Sequence, residues 1–140
     1  MSDQKRWFAY HVEDPSKPQP DGAIRIMCMS DTHTKHSDIP INSIFLADIA
    51  VHAGDFTMYG HRSDVISFRD WFKKLPAQHK ILIAGNHDLS FDDEIREELE
   101  PIFKFRKYKD PPELSKKAIY CPEITYVEES VIEIMGIKFF

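Results

Sequence analysis

An α/β sheet is the fold class that the sequence predicts, and three observations predict it. Three short apolar runs, 24–30, 49–53 and 80–84, each stop abruptly in a cluster of polar residues. A segment of helical periodicity lies between the second run and the third. The resulting order (β, β-α-β, α, then short strands) is that of a wound sheet with helices packed on it. In such sheets ligands gather beyond the carboxyl ends of the strands, so the polar clusters are where chemistry is expected. At 140 residues the chain is one domain at most and long enough to bury a sizeable core.

Residues 1–22 read as an irregular N-terminal extension. Pro15, Pro18, Pro20 and Gly22 keep it extended or turning, while Trp7, Phe8 and Tyr10 offer rings that can dock on a body. Domain 23–140 begins with the strand 24–30. The polar stretch 34–43, with Pro40, reads as a loop with a helical turn up to Leu46. The second strand, 49–53, is apolar enough for a sheet covered on both faces. Ser63 is placed to cap a helix running to Leu75, because Val65, Phe68, Phe72 and Leu75 recur at helical spacing, with Trp71 beside them and Pro76 as the stop. After the third strand, Asp92, Asp93 and Glu94 suit the first turn of a second helix, where carboxylates meet the positive end of the dipole. Pro101 is expected to close it. Charged and aromatic residues alternate over 103–112 in a surface excursion, followed by a short helix over 114–118. The segments 125–127, 131–135 and 137 onward read as a meander of short strands, the last two joined at Gly136.

Composition excludes some functions. The net charge is −5 with no basic stripe, so a nucleic-acid backbone is not the expected partner. The two cysteines, Cys28 and Cys121, form neither a metal-type pair nor a disulfide framework, and Cys28 reads as a small buried strand residue. No apolar leader follows the polar first residues, and no run is long enough to span a bilayer, so a cytoplasmic setting without membrane contact is expected. No dinucleotide or P-loop glycine pattern follows any strand.

Chemistry is carried by the strand exits. Asp31 and His33 are one residue apart, so on an extended exit both point to the same side and present an oxygen and a nitrogen to one ion. Alone, the pair is weak evidence, and two polar loop residues are the simpler reading. Gly54 permits a close turn that lets Asp55 swing into a shared site, although Asp after Gly is also an ordinary turn residue or cap. Gly85-Asn86-His87-Asp88 is the most informative stretch, since Asn86 offers a neutral carbonyl oxygen and His87 sits beside a carboxylate. Of the other histidines, His52 reads as a satisfied core residue, His61 as an exposed loop residue, and His11, His36 and His79 as surface residues. Phe56 and Tyr59 fit a wall of the cleft or the flanks of a nucleobase.

Taken together, Asp31-Thr32-His33, Gly54-Asp55 and Gly85-Asn86-His87-Asp88, each after an apolar strand, resemble the metallophosphoesterase (calcineurin-like phosphoesterase) superfamily. The wording is most similar to the branch of class III cyclic-nucleotide phosphodiesterases and metallophosphoesterase-domain-containing proteins. The resemblance implies the N-terminal part of a metallophosphoesterase-type α/β sandwich, with 23–140 a partial domain. It implies that Asp31 and His33 bind a first divalent ion (Mn, Fe, Zn or Mg), that Asp55 bridges two, and that Asn86 binds the second. It further implies that His87 meets the substrate phosphate and protonates the leaving oxygen, with Asp88 orienting its ring.

The family pattern continues into a further histidine and a Gly-His-x-His segment, yet no histidine follows His87. The strand that includes Phe140 shows no stop signal, so the chain is expected to be cut off. One weakly held ion at most is therefore expected, with little hydrolysis of a phosphoester or nucleotide by this chain alone. A binding protein without turnover, holding an ion or a nucleotide and acting through partners, is the second expectation. A structural α/β module is the third, and it predicts that the four ligands do not converge.

Overall fold

The structure, a computed structural model, describes Asp14 and residues 17–94, 96–105 and 109–140. The expectations for Trp7, Phe8, Tyr10, His11 and Pro15 lie outside the described residues. Four parallel strands, β1 (Ile26–Met29), β2 (Ala47–Ala53), β3 (Ala77–Ile83) and β4 (Thr125–Tyr126), lie side by side in that order. Parallel neighbours need crossovers. Two 3₁₀ turns, Lys35–Asp38 and Ile41–Ser43, lie in the one between β1 and β2, α1 (Arg62–Phe72) makes the one between β2 and β3, and α2 (Arg96–Phe105) and α3 (Pro112–Ala118) lie between β3 and β4.

Alternation along the strands gives the sheet two apolar faces. On one, Met27, Ala50 and Leu82 pack with Val65, Phe68, Trp71 and Phe72 of α1 and with Phe56 and Phe91. On the other, Ile49, Ile81 and Val127 pack with Ile132, Ile134 and Phe139. The last three belong to a hairpin of β5 (Ile132–Ile134) and β6 (Ile137–Phe139), turned at Met135 and Gly136 with φ of 53° and 77°. Two successive positive φ values suit a tight hairpin and call for a glycine.

Several expectations are corrected. The meander divides, because the crossover through α2 and α3 returns β4 parallel to β3, while β5 and β6 form an antiparallel pair. Coverage of the second face is partial, and Cys28 is exposed rather than buried. It shares that face with Ile26 and Ile83, 38% and 41% exposed, beyond the reach of the hairpin. Ser63 does not cap α1. Its hydroxyl turns to Asp64 Oδ1, while the His61 carbonyl accepts from the amides of Asp64 and Val65. Asp92, Asp93 and Glu94 precede α2 in the turn after a 3₁₀ segment, Leu89–Phe91. Pro101 stands inside α2, forgoing one ladder hydrogen bond rather than ending the helix. His36 is buried, its ring against Phe68 and Trp71 and its Nε2 on Ser67 Oγ. No helix of the described residues is long and apolar enough to cross a membrane.

His52 occupies the core expected for it but is only half satisfied. Its Nε2 meets Thr32 Oγ1 at 3.1 Å, its Nδ1 has no partner among the described residues, and its ring lies 4.8 Å from that of Phe68. Burial pushes the imidazole down to about 4, against the pull of Asp31 and Asp55. Unfolded, it titrates near 6.5. Above that pH neither state binds the proton, so folding is indifferent. As pH falls from 6.5 to about 4 the unfolded chain takes up a proton that the folded chain refuses. Stability should therefore drop across this window by about 3 kcal/mol. His36, also lowered by burial, acts in the same direction. Denaturant melts at several pH values check this, and His52→Leu should lose most of the slope.

Candidate metal centre

Two seams join the strand exits. At the first, the amides of Asp31, His33 and Thr34 donate to the carbonyls of Gly54, Asp55 and Phe56, each at 3.0 Å. Meeting those acceptors bends the backbone into the left-handed region, with φ of 57° at Asp31, 41° at His33 and 56° at Asp55. For a non-glycine residue this costs roughly 1–2 kcal/mol, and such strain persists only where the surroundings enforce it. At the second seam two glycines meet. A Cβ on Gly54 would lie 2.7 Å from the Gly85 nitrogen, and one on Gly85 only 2.2 Å from Asp55 Oδ1. The loops after β2 and β3 can touch only because neither carries a side chain there.

Below this contact lies Asp88, buried, with its Oδ2 accepting from the amides of Asp55 (2.9 Å) and Gly85 (3.0 Å). Its Oδ1 accepts from the Thr57 amide (2.8 Å) and the Thr57 hydroxyl (2.7 Å). Burial pushes the Asp88 carboxyl above its usual range while the Gly85 and Thr57 donors pull it down. The four donors match the lone-pair positions of the ionised carboxylate and favour that form.

Above the brace, three chemistry-bearing side chains meet. His33, Asp55 and His87 offer ligand atoms all within 4.8 Å of one another, and the two rings stand edge to face at 4.6 Å. The His87 amide holds Asp55 Oδ1 at 2.9 Å. His33 Nδ1 faces the Thr57 carbonyl at 3.3 Å, and His87 Nδ1 faces the Met58 carbonyl at 3.2 Å. A carbonyl only accepts, so each Nδ1 carries the hydrogen and leaves Nε2 as a lone pair. Two imidazoles so oriented, with a carboxylate, form a nitrogen and oxygen donor set that fits a zinc, iron or manganese ion.

The expected residues are thus placed unequally. His33, Asp55 and His87 converge, and Asp31, largely exposed, puts Oδ1 3.9 Å from His33 Nε2. Asn86 is exposed between Gly85 and His87, lining an open cleft of about 760 Å³. Asp88 is corrected: its carboxylate binds the loop amides, and it is Met58's carbonyl that meets the ring of His87. Phe56 is wholly buried in the core rather than lining the cleft. Sequence reasoning missed Thr57 and Met58. The hydroxyl of Thr57, two residues after Asp55, was the one signal to be had, because a backbone acceptor leaves none.

Comparison with known proteins points to a family. A family model described as calcineurin-like phosphoesterase matches residues 24–135. Metallophosphoesterase domain-containing protein 1 of Homo sapiens is 42% identical over 101 residues, covering 69% of this chain and 30% of that protein. A UPF0046 protein of Caenorhabditis elegans is 30% identical over 132 residues, covering 92% of this chain and 42% of its own length. The chain therefore spans less than half the length of these relatives.

Two substitutions test the seams. Asp88→Asn puts an NH₂ group against two donors and should cost about 3 kcal/mol in a denaturant melt. Gly85→Ala, by driving Asp55 aside, should weaken uptake of Mn²⁺ at least tenfold in calorimetric titration.

Proposed function

We propose, from the premise that this chain belongs to the calcineurin-like phosphoesterase family, that it carries a metal-dependent site for hydrolysing phosphoesters, phosphodiesters such as cyclic nucleotides foremost. The observation that carries the reading is the convergence of His33, Asp55 and His87 from three strand exits. A divalent cation held beside His33 and Asp55, with His87 left free to face the substrate, would supply charge that neutralises phosphate oxygens as the transition state forms. Asp31, His33 and Asp55 are the residues proposed to hold it, with Asn86 offering an amide oxygen toward a second ion. His87 acts on the substrate. Protonated at Nε2, with its Nδ1–H kept by the Met58 carbonyl, it faces the phosphate and hands that proton to the leaving oxygen.

Charge in the neighbouring cleft, which adjoins the site at Gly85 and Asn86, favours the diester. Asp92, Asp93, Glu94, Glu128 and Glu129 line it, and Lys116 is engaged with Asp93 and Glu128. A dianionic monoester meets stronger repulsion there than a monoanionic diester. The same charge disfavours nucleic acid as a partner.

Ligand number sets the level of activity. Three candidate ligands, with water, hold one ion weakly, whereas Asp55 and Asn86 alone rarely hold a second. We therefore expect this chain by itself to take up Mn²⁺ but to hydrolyse bis(p-nitrophenyl) phosphate slowly or not at all, and Asp55→Ala to abolish uptake. Fast turnover lost in Asp55→Ala would show that the chain alone is a full catalyst. Absence of any Mn²⁺ uptake would remove the metal reading itself. Uptake of Mn²⁺ and AMP without turnover would favour a binding protein.

A further inference from the structure

Both histidines of the centre take their orientation from neighbouring carbonyls, those of Thr57 and Met58. That single stretch of backbone is held at several points. The Thr57 amide and hydroxyl donate to Asp88 Oδ1, and the hydroxyl also accepts from the Gly60 amide at 2.8 Å. Gly60, with φ of 77°, turns the chain back at that point. Thr57 is fully buried, so no water substitutes for these partners. Asp88 ties the same stretch to Gly85 and Asp55, hence to the loop that bears His87. One threonine thus sits between the carboxylate brace and both rings.

We infer that Thr57 is the positioning residue of this centre, setting the tautomers of His33 and His87 together by fixing the Thr57 and Met58 carbonyls as acceptors for their Nδ1–H groups. The consequence is a coupling: the two rings cannot be reset one at a time from this position. His33 keeps its Nε2 lone pair for a cation and His87 keeps its Nε2 for the phosphoester. The inference rests on the cation-site reading of His33, Asp55 and His87 for its purpose, but its geometry is readable without a cation. A partner that fixes a ligand histidine in one tautomer typically alters metal affinity by ten- to a hundredfold when removed.

The test is long-range ¹H–¹⁵N correlation of the imidazole rings in the full chain at a pH where they are neutral, with assignments from His33→Gln and His87→Gln. Free neutral imidazole side chains favour Nε2–H, so Nδ1–H is distinctive. In the wild-type chain both rings should show Nδ1–H. Thr57→Val, which keeps the shape and removes the hydroxyl, should shift both rings from that signature together and weaken Mn²⁺ uptake about tenfold, and Thr57→Ser should restore both. Either ring found as Nε2–H in the wild-type chain overturns the inference, and so does a Thr57→Val chain in which neither ring or only one changes. If valine prevents folding, Thr57→Ala takes its place, and the wild-type tautomers decide independently. Nδ1–H on both rings without Mn²⁺ uptake would sustain this inference while sinking the metal reading above.

Discussion

Everything around the centre depends on one buried carboxylate that has no partner of opposite charge among the described residues. Asp88 is solvated by backbone amides from two strand exits and by one hydroxyl, and these replace the water it gives up. Removing it would leave several donors buried and unmatched at once, which costs more than any single hydrogen bond gains. The β2 and β3 exits are therefore held in one arrangement by an electrostatic requirement rather than by apolar packing. The β1 exit joins them through three backbone hydrogen bonds, with His33 Nδ1 on the Thr57 carbonyl and Thr32 Oγ1 on His52 beside them.

This order of dependence explains where strain is tolerated. Asp31, His33 and Asp55 lie in a backbone region that side chains resist, and all three belong to the cluster or its edge. A loop held only at its ends would relax out of these conformations. Here the amides of Asp31 and His33 have acceptors only while the bend persists, so relaxing would strand polar groups. The hydrophobic core supplies rigidity from beneath. Phe56, directly after Asp55, is stacked on Phe68 at 4.6 Å and leaves Asp55 little freedom to withdraw.

Much of this was legible in the sequence, and for definite reasons. The strands declare themselves because a parallel sheet with buried faces needs continuous apolar runs, and polar residues grouped at the ends of such runs contribute nothing to packing. Asp31, His33, Asp55, Asn86 and His87 therefore stood out as candidates, and the structure brings His33, Asp55 and His87 of them together. What escaped is what tertiary contact decides. Cys28 stands exposed because the hairpin covers only part of its face. His36 is buried because α1 brings Phe68 and Trp71 over it. Asp88, adjacent to His87 in sequence, binds the Gly85 amide of its own loop and the Asp55 and Thr57 amides of another, an arrangement that no spacing rule encodes.

The two acceptors that orient the rings are main-chain atoms, and main-chain atoms survive every ordinary substitution. An alanine scan would leave the carbonyl of Met58 in place and rank that methionine as dispensable, although its oxygen meets His87. The amino acids that such a survey flags would thus describe only the movable half of the machinery. To weigh the other half by perturbation calls for changing the peptide unit itself, as an amide-to-ester replacement does.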